Sequence, residues 1–315
     1  MTRTWIVPVV AALALFALPA VLTPYTQDLV VKIAIYAVFA LSLELLVGVT
    51  GLVSLGHAAF LGIGAYVTVL AAGDSGGSVA TVAPLAVLAA AGYALFVGAL
   101  SLRTKGVYFI MVTLAFAQMA YFVFHDTKLA GGSDGLFLYA KPALGALNLD
   151  DKRHLYYTVI VTLVATYALL ALLMRARFGH ALAGIRVNEQ RMRAAGFATF
   201  GYKLAAFVIA GAIAGLAGFL LAIKDGAVNP ELLSWHESGA VLLMLILGGI
   251  GSLRGAVIGA IAFTLLKELF QLESLLGPVA SHWQMTLGFT IIAFVALLPK
   301  GLIGVRSRFS GAAHG

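Results

Sequence analysis

Glu44 is the one acid that falls deep inside an apolar stretch of this 315-residue chain. An ionisable side chain held in hydrocarbon is costly enough to mark a functional position. Close behind it comes Gly48–Tyr66, Gly-Val-Thr-Gly-Leu-Val-Ser-Leu-Gly-His-Ala-Ala-Phe-Leu-Gly-Ile-Gly-Ala-Tyr, with five glycines, Thr50, Ser54 and His57 between two apolar segments. Glycine costs about 1 kcal/mol in a helix interior, so this run marks broken helix or closely approaching backbones. Inside a bilayer, broken backbone is tolerated only where protein buries it or a wet cavity lies beside it. The run is therefore a candidate solute path, with Glu44, Ser54, His57 and Tyr66 on it. Thr113 and Gln118, on a later apolar stretch, are candidate interhelical hydrogen-bonders beside it. Glu44 and His57 each keep a second reading, as hydrogen-bonded interior side chains that pack helices.

Other chemistry finds little footing. No Gly-x-x-x-x-Gly-Lys-[Ser/Thr] occurs, so the chain has no phosphate-binding loop of its own. No His-Glu-x-x-His occurs, and the seven histidines show no metal-ligand spacing. The absence of cysteine removes disulfides, thiol catalysis and iron–sulfur ligation. An enzyme is not indicated, and no cofactor is expected.

The elements that must position these residues are membrane helices. The chain is 62% hydrophobic and 10% charged, where soluble domains carry about 25% charged residues. A span needs about 20 apolar residues. The candidates are Trp5–Thr23, Leu29–Gly48, His57–Ala72, Pro84–Leu100, Gly106–Phe124, Leu155–Met174, Lys203–Ile223, Ser238–Gly251, Gly255–Phe270 and Trp283–Leu298. The expected fold class is thus an all-α polytopic membrane protein of about ten transmembrane helices, a single domain over residues 1–315. The first candidate has Arg3 ahead of it but is long for a signal peptide, and reads as a span bent at Pro8 and Pro19. The eighth and ninth are short, and are expected to be tilted or half-spans.

Charge fixes the orientation. Arg103, Lys105, Arg175, Arg177, Arg186, Arg191 and Arg193 all fall in loops on one side, whereas acids collect on the other. Positive loops stay in the cytoplasm, which places both termini there. The net charge of +7 is split across the membrane and implies no nucleic acid.

Two polar segments stand out. On the cytoplasmic side, Arg175–Lys203 is the longest internal loop. Asn188 is a good N-cap and Gly196 a good C-terminal breaker, so a short helix is expected over Glu189–Ala195. Extended backwards, it would place Leu182, Ile185, Met192 and Ala195 on one face, with Arg186, Gln190 and Arg193 beside them. Such a helix either lies on anionic lipid or docks a cytoplasmic partner. On the outer side, His125–His154 holds Gly131-Gly-Ser-Asp-Gly135, a tight turn, with Gly132, Ser133 and Asp134 as an ordinary connection, a gate or a docking surface. The turn Gly249-Ile-Gly-Ser-Leu-Arg-Gly-Ala echoes Gly51-Leu-Val-Ser-Leu-Gly-His-Ala, either as a repeat or by chance.

Gly51–Tyr66 resembles the signature of the branched-chain amino acid ABC-importer permeases, the LivH/LivM family. So do Gly131-Gly-Ser-Asp-Gly-Leu136, Arg177-Phe-Gly-His-Ala-Leu-Ala-Gly-Ile-Arg-Val-Asn-Glu189, Tyr202-Lys-Leu-Ala-Ala-Phe207 and Gly248-Gly-Ile-Gly-Ser-Leu253. Gly106-Val-Tyr-Phe and Pro299-Lys-Gly-Leu-Ile are more similar to its LivM-type members. The resemblance implies a multi-pass subunit of the bacterial inner membrane, paired with a homologous LivH-type permease. It further implies two ATPase subunits of LivG/LivF type, which would bind the ATP, and an extracytoplasmic solute-binding protein. Residues 175–203 become the coupling loop, with a coupling helix over Ala181–Gly196 in which Leu182, Ile185, Arg186, Asn188, Glu189, Arg191 and Arg193 would face an ATPase. Leucine, isoleucine and valine are the expected solutes, with urea, short amides and aromatic acids as the relatives' range. The rival expectation is an ion-coupled secondary transporter that uses Glu44.

Overall fold

The computed structural model describes residues 23–144, 147–272, 282–298 and 301–304, together with 15, 16, 19 and 277. The expected first span falls almost wholly outside them, as do both chain ends. Thr23 caps α1 (Pro24–Glu44), which runs on through a π-helical turn, Leu45–Thr50. Then come α2 (Ala58–Ala72), α3 (Val79–Ser101), α4 (Val107–Asp126) and α5 (Lys152–Arg175). Two short helices follow, α6 (Arg177–Val187) and α7 (Glu189–Ala194), and then α8 (Thr199–Asp225), α9 (Trp235–Gly248), α10 (Leu253–Gln271) and α11 (Trp283–Leu297). Side-chain oxygens of Ser78, Asp151 and Ser252 accept the first free amides of α3, α5 and α10.

Among the described residues six helices are long and apolar enough to cross a membrane, or seven if α9 and α10, bent by 114°, count as one span. The apolar windows of α1 and α8 are each 78% buried, and that of α4 only 22%. The centre of the bundle is therefore α1 and α8, with α4 on its rim. Small residues let α8 approach its neighbours, as the sequence spacing suggests. A Cβ at Gly218 would collide with the Leu61 carbonyl, and one at Gly64 with the Gly215 carbonyl. Gly259 lies equally close to the Met244 carbonyl.

The elements outside the helices are short. β1 (Leu136–Phe137) pairs antiparallel with β4 (Ala227–Val228), and β2 (Ala143–Leu144) with β3 (Leu147–Asn148). They gather at one end of the bundle, the strand end. Helices α6 and α7 lie at the opposite, short-helix end.

Two segments break the up-and-down pattern. Past Thr50 the chain does not start a new helix at the surface but returns into the bundle as residues 51–57. At its depth Gly56 has no room for a Cβ against the Thr113 carbonyl, and Thr113 is six residues inside α4, about 9 Å. Only there does α2 begin. From the strand end, residues 226–234 descend in the same way, and Leu233 packs on Gly62. From Gly62 to Ala72 is ten residues, so Leu233 lies about 15 Å below the end of α2. The segment expected as the eighth span is thus a half-helix that starts inside the bundle. By contrast α10 runs its full length, from the bend where Gly251 meets Glu44 to Glu268, which meets Tyr25.

Candidate functional site

The two half-helices meet end to end. The Ser238 hydroxyl, in the first turn of α9, accepts the Ala58 N–H at the start of α2 over 2.9 Å. From this junction α2 runs to the strand end and α9 to the short-helix end. The N-terminal amides of both helices, which carry the positive ends of their dipoles, therefore converge inside the protein. Neither Ser234 nor His57, at the two N-cap positions, makes a side-chain cap bond.

His57 is fully buried, stacked on Phe39 and edge-on to Phe60. Its Nε2 lies 2.7 Å from the Ser42 hydroxyl, and that hydroxyl lies 2.6 Å from the Phe39 carbonyl. Ser42 has one hydrogen, which goes to the carbonyl. His57 therefore donates from Nε2, and its Nδ1 stays buried without a partner. Ser54 is buried and accepts the Gly56 N–H. Tyr66 is buried against Phe124, 4.4 Å between ring centres, with its hydroxyl unpartnered. Thr113 donates to Ile110 of its own helix and Gln118 is half-buried, so the structure shows neither making the expected bond between helices. Sequence reasoning missed Ser42 and Ser238, which carry no distinguishing pattern. It also counted Glu231 and Glu237 as outer acids. Glu237 accepts at 3.5 Å from Tyr36, twelve residues along α1 from Pro24 and so about 18 Å inside. Glu231 accepts at 3.4 Å from Tyr121 of α4. Glu44 is therefore not alone as an interior acid. The clue was the eighth span itself, too short to begin at a surface.

Glu44 lies at the short-helix end, at the start of the π-helical turn. Its carboxylate folds over Gly48, where a Cβ would collide with it, and Oε1 accepts the Gly251 N–H over 2.7 Å. Gly249 and Gly251 hold φ of 109° and 100° in the α9–α10 bend, a region open to glycine and strained for other residues. The Gly249 turn and the Gly51 turn, which echo each other in sequence, differ in form: one is a tight bend and the other starts a re-entrant segment.

Residues 175–203 fold as two short helices ahead of α8, not as the one continuous helix expected over Ala181–Gly196. The chain breaks at Asn188, whose side chain caps α7 at the Arg191 N–H, and ends at Gly196 with φ 88°. Leu182 and Ile185 are buried in α6, whereas α7 turns back so that Met192 packs on Gly184. The four apolar residues expected on one face are therefore split. Arg186, at the end of α6, donates to the Gly48 carbonyl. Glu189 receives Arg193 at 2.6 Å, Lys203 at 2.9 Å and Thr199 at 3.2 Å. Burial works to raise the Glu189 pKa, but these three donors outweigh it and hold the carboxyl down at about 2. Arg191 stays exposed. A cleft of about 340 Å³ opens here between residues 50–53, the α3–α4 turn at Thr104–Gly106, Arg186 and Lys203.

At the strand end, Gly132–Asp134 forms a 3₁₀ turn, and the Ser133 hydroxyl donates to Asp134. Gly131–Gly135 and Gly73–Gly77 both carry Gly-x-Ser-x-Gly spacing, but each is a turn between elements and not a strand-to-helix nucleophile elbow. Among the described residues no cluster could hold a metal ion.

Comparison with known proteins decides the family. Residues 25–296 match the family described as branched-chain amino acid transport system, permease component. The chain belongs to this permease family. It is 29% identical over 311 residues to the high-affinity branched-chain amino acid transport system permease protein LivM of Escherichia coli, covering 91% of this chain and 72% of that one. BraD of Pseudomonas aeruginosa is 23% identical, over 89% of this chain and 96% of its own. Escherichia coli LivH is 27% identical over 46% of each chain. No solved structure matches. The protein is thus a permease subunit of an ABC transporter in the inner membrane, and not itself an enzyme. The ion-coupled reading of Glu44 finds no support.

Proposed function

We propose that the chain forms one half of the translocation path of an ATP-driven importer for leucine, isoleucine and valine. The observation that carries this is the junction of α2 and α9: two half-helices that start inside the bundle, as discontinuous helices do at the binding sites of transporters. In this reading the whole chain is one permease domain of ten membrane segments. The half-helices complete two of them with extended backbone, and both termini are cytoplasmic. Residues 125–154 face outward and meet the solute-binding protein, with Gly132, Ser133 and Asp134 at the turn. Residues 175–203 are cytoplasmic and dock an ATPase.

The partner that completes the path is a second, LivH-type permease, in keeping with the likeness to both LivM and LivH. Two ATPase subunits bind and hydrolyse ATP, and this chain holds no cofactor. The exposed Val187, Phe197 and Phe200 beside Arg186, Arg191 and Arg193 give the docking surface apolar contact within a basic rim. Ser54, His57, Tyr66, Thr113 and Gln118 support the path from the α2 side of the junction.

The test is uptake of radiolabelled leucine, isoleucine and valine by vesicles that hold this chain with the permease, ATPases and binding protein encoded beside it. ATP-dependent uptake of these three is expected. Uptake of urea or aromatic acids instead, or uptake by this chain alone along a proton gradient, would overturn the reading.

A further inference from the structure

Three elements that are distant in sequence meet at Glu44. The first is the end of α1, where regular helix gives way to the π-helical turn. The second is the α9–α10 bend, which offers the Gly251 N–H to Glu44 Oε1 at 2.7 Å. The third is α6, whose Arg186 lays its stem on Gly51, 3.1 Å from where a Cβ would stand, and donates to the Gly48 carbonyl. Arg186 is 138 residues from Gly48, and Gly251 is 207 from Glu44. No local folding requirement explains both contacts.

One atom at this meeting point is unspent. Glu44 Oε2 is buried and has no hydrogen-bond partner among the described residues. A buried acceptor left empty is costly, and a carboxylate oxygen more so. The nearby cation is Arg186, whose guanidinium carries five donors in a planar fork. At present it serves the Gly48 carbonyl, one turn from Glu44. π-Helical turns are single-turn insertions in α-helices and are frequent at functional sites. Relaxing Leu45–Thr50 to α-helix would shift the Gly48 carbonyl and release Arg186.

We propose that Glu44 and Arg186 form the link through which the coupling loop moves the path. Arg186 has two discrete partners, the Gly48 carbonyl and Glu44 Oε2, and exchanges one for the other as α6 is displaced. Glu44 is held to Gly251 throughout, so the exchange pulls on the α9–α10 bend. Helix α9 carries the movement to Ser238 and hence to the start of α2. Both are positioning residues and neither touches the solute. The two alternative contacts supply the bistable element that energetic coupling between distant sites requires.

The experiment uses the complete transporter in vesicles and measures solute taken up per ATP hydrolysed. A merely structural defect lowers both quantities together and leaves their ratio unchanged. Glu44→Gln keeps an oxygen for Gly251 and removes the charge. It is expected to lower uptake per ATP at least tenfold while hydrolysis continues. Arg186→Gln, at an exposed position, is expected to do the same. The double variant should lose no more than either single one, because each removes the same link. A wild-type ratio in Arg186→Gln, or losses that multiply in the double variant, would overturn the proposal. Because the wild-type transporter is assayed alongside, failure of the importer reading would show as absent uptake in every sample, including wild type.

Discussion

The half-helices α2 and α9 make the same architectural move in opposite directions, yet their surroundings differ. Twelve of the 15 residues of α2 are buried, and its glycines are pressed against other backbones. Of the 14 residues of α9 only six are buried, Trp235 is 46% exposed, and Gly239 faces open space. The re-entrant segment before α2 is fixed by buried Ser54 and His57, whereas the one before α9 leaves Glu231 exposed and Glu237 half-buried. The same device thus serves once as scaffold and once as a face left open to a partner or a solute.

The strongest way to break this comparison is to add one side chain to each partner. Gly218→Val drives methyl groups into the Leu61 carbonyl of α2 and should cost about 3 kcal/mol, seen as loss of monodisperse protein in detergent. Gly239→Ala in α9 meets nothing and removes a helix glycine, so the melting temperature should hold or rise, by up to about 1 kcal/mol of stability. If both variants behave alike, the two half-helices are not different in kind. Ser238→Ala removes the acceptor for the Ala58 N–H and should cost about 1 kcal/mol, read as a lower melting temperature with intact insertion.

A smaller effect is expected at the short-helix end. The Glu189 pKa is depressed when folded, so its contribution is present above its ordinary value near 4.5 and fades as pH falls towards about 2. The melting-temperature gap between wild type and Glu189→Gln should therefore be constant from pH 6 to 8 and narrow below about 4.5. A gap that widens on acidification would contradict the Arg193–Glu189–Lys203 cluster. Smallest of all is Tyr36→Phe, which deletes a 3.5 Å contact to Glu237 and should change stability by less than about 0.5 kcal/mol.

Much of this was legible in the sequence. Hydropathy located seven of the nine long described helices to within four residues and placed the other two, α1 and α3, over most of their length. Asn188 and Gly196 marked α7 through their cap chemistry, and the glycines of Gly48–Tyr66 announced the break before α2. Depth was legible only through the shortness of the eighth span. Residues 226–234 are polar enough to pass for a surface loop, and only the contact of Leu233 with Gly62 shows that they descend into the bundle. The Asn188 break was visible as a cap for α7, but the folding-back of Met192 onto Gly184 needs a tertiary contact that no periodicity encodes. Arg186 could be assigned to a basic stripe, whereas its partner, a backbone carbonyl 138 residues away, leaves no trace in residue type.

The chain contains no cysteine, so single cysteines report cleanly on who faces the path. The direct test places one at Trp235 and one at Ser54 in the reconstituted transporter and treats both with a small hydrophilic thiol reagent. Trp235→Cys should be labelled, and transported solute should slow its labelling. Ser54→Cys, fully buried in the segment before α2, should stay unlabelled. Labelling of Ser54→Cys with Trp235→Cys protected throughout would reverse the roles of the two half-helices and contradict the account.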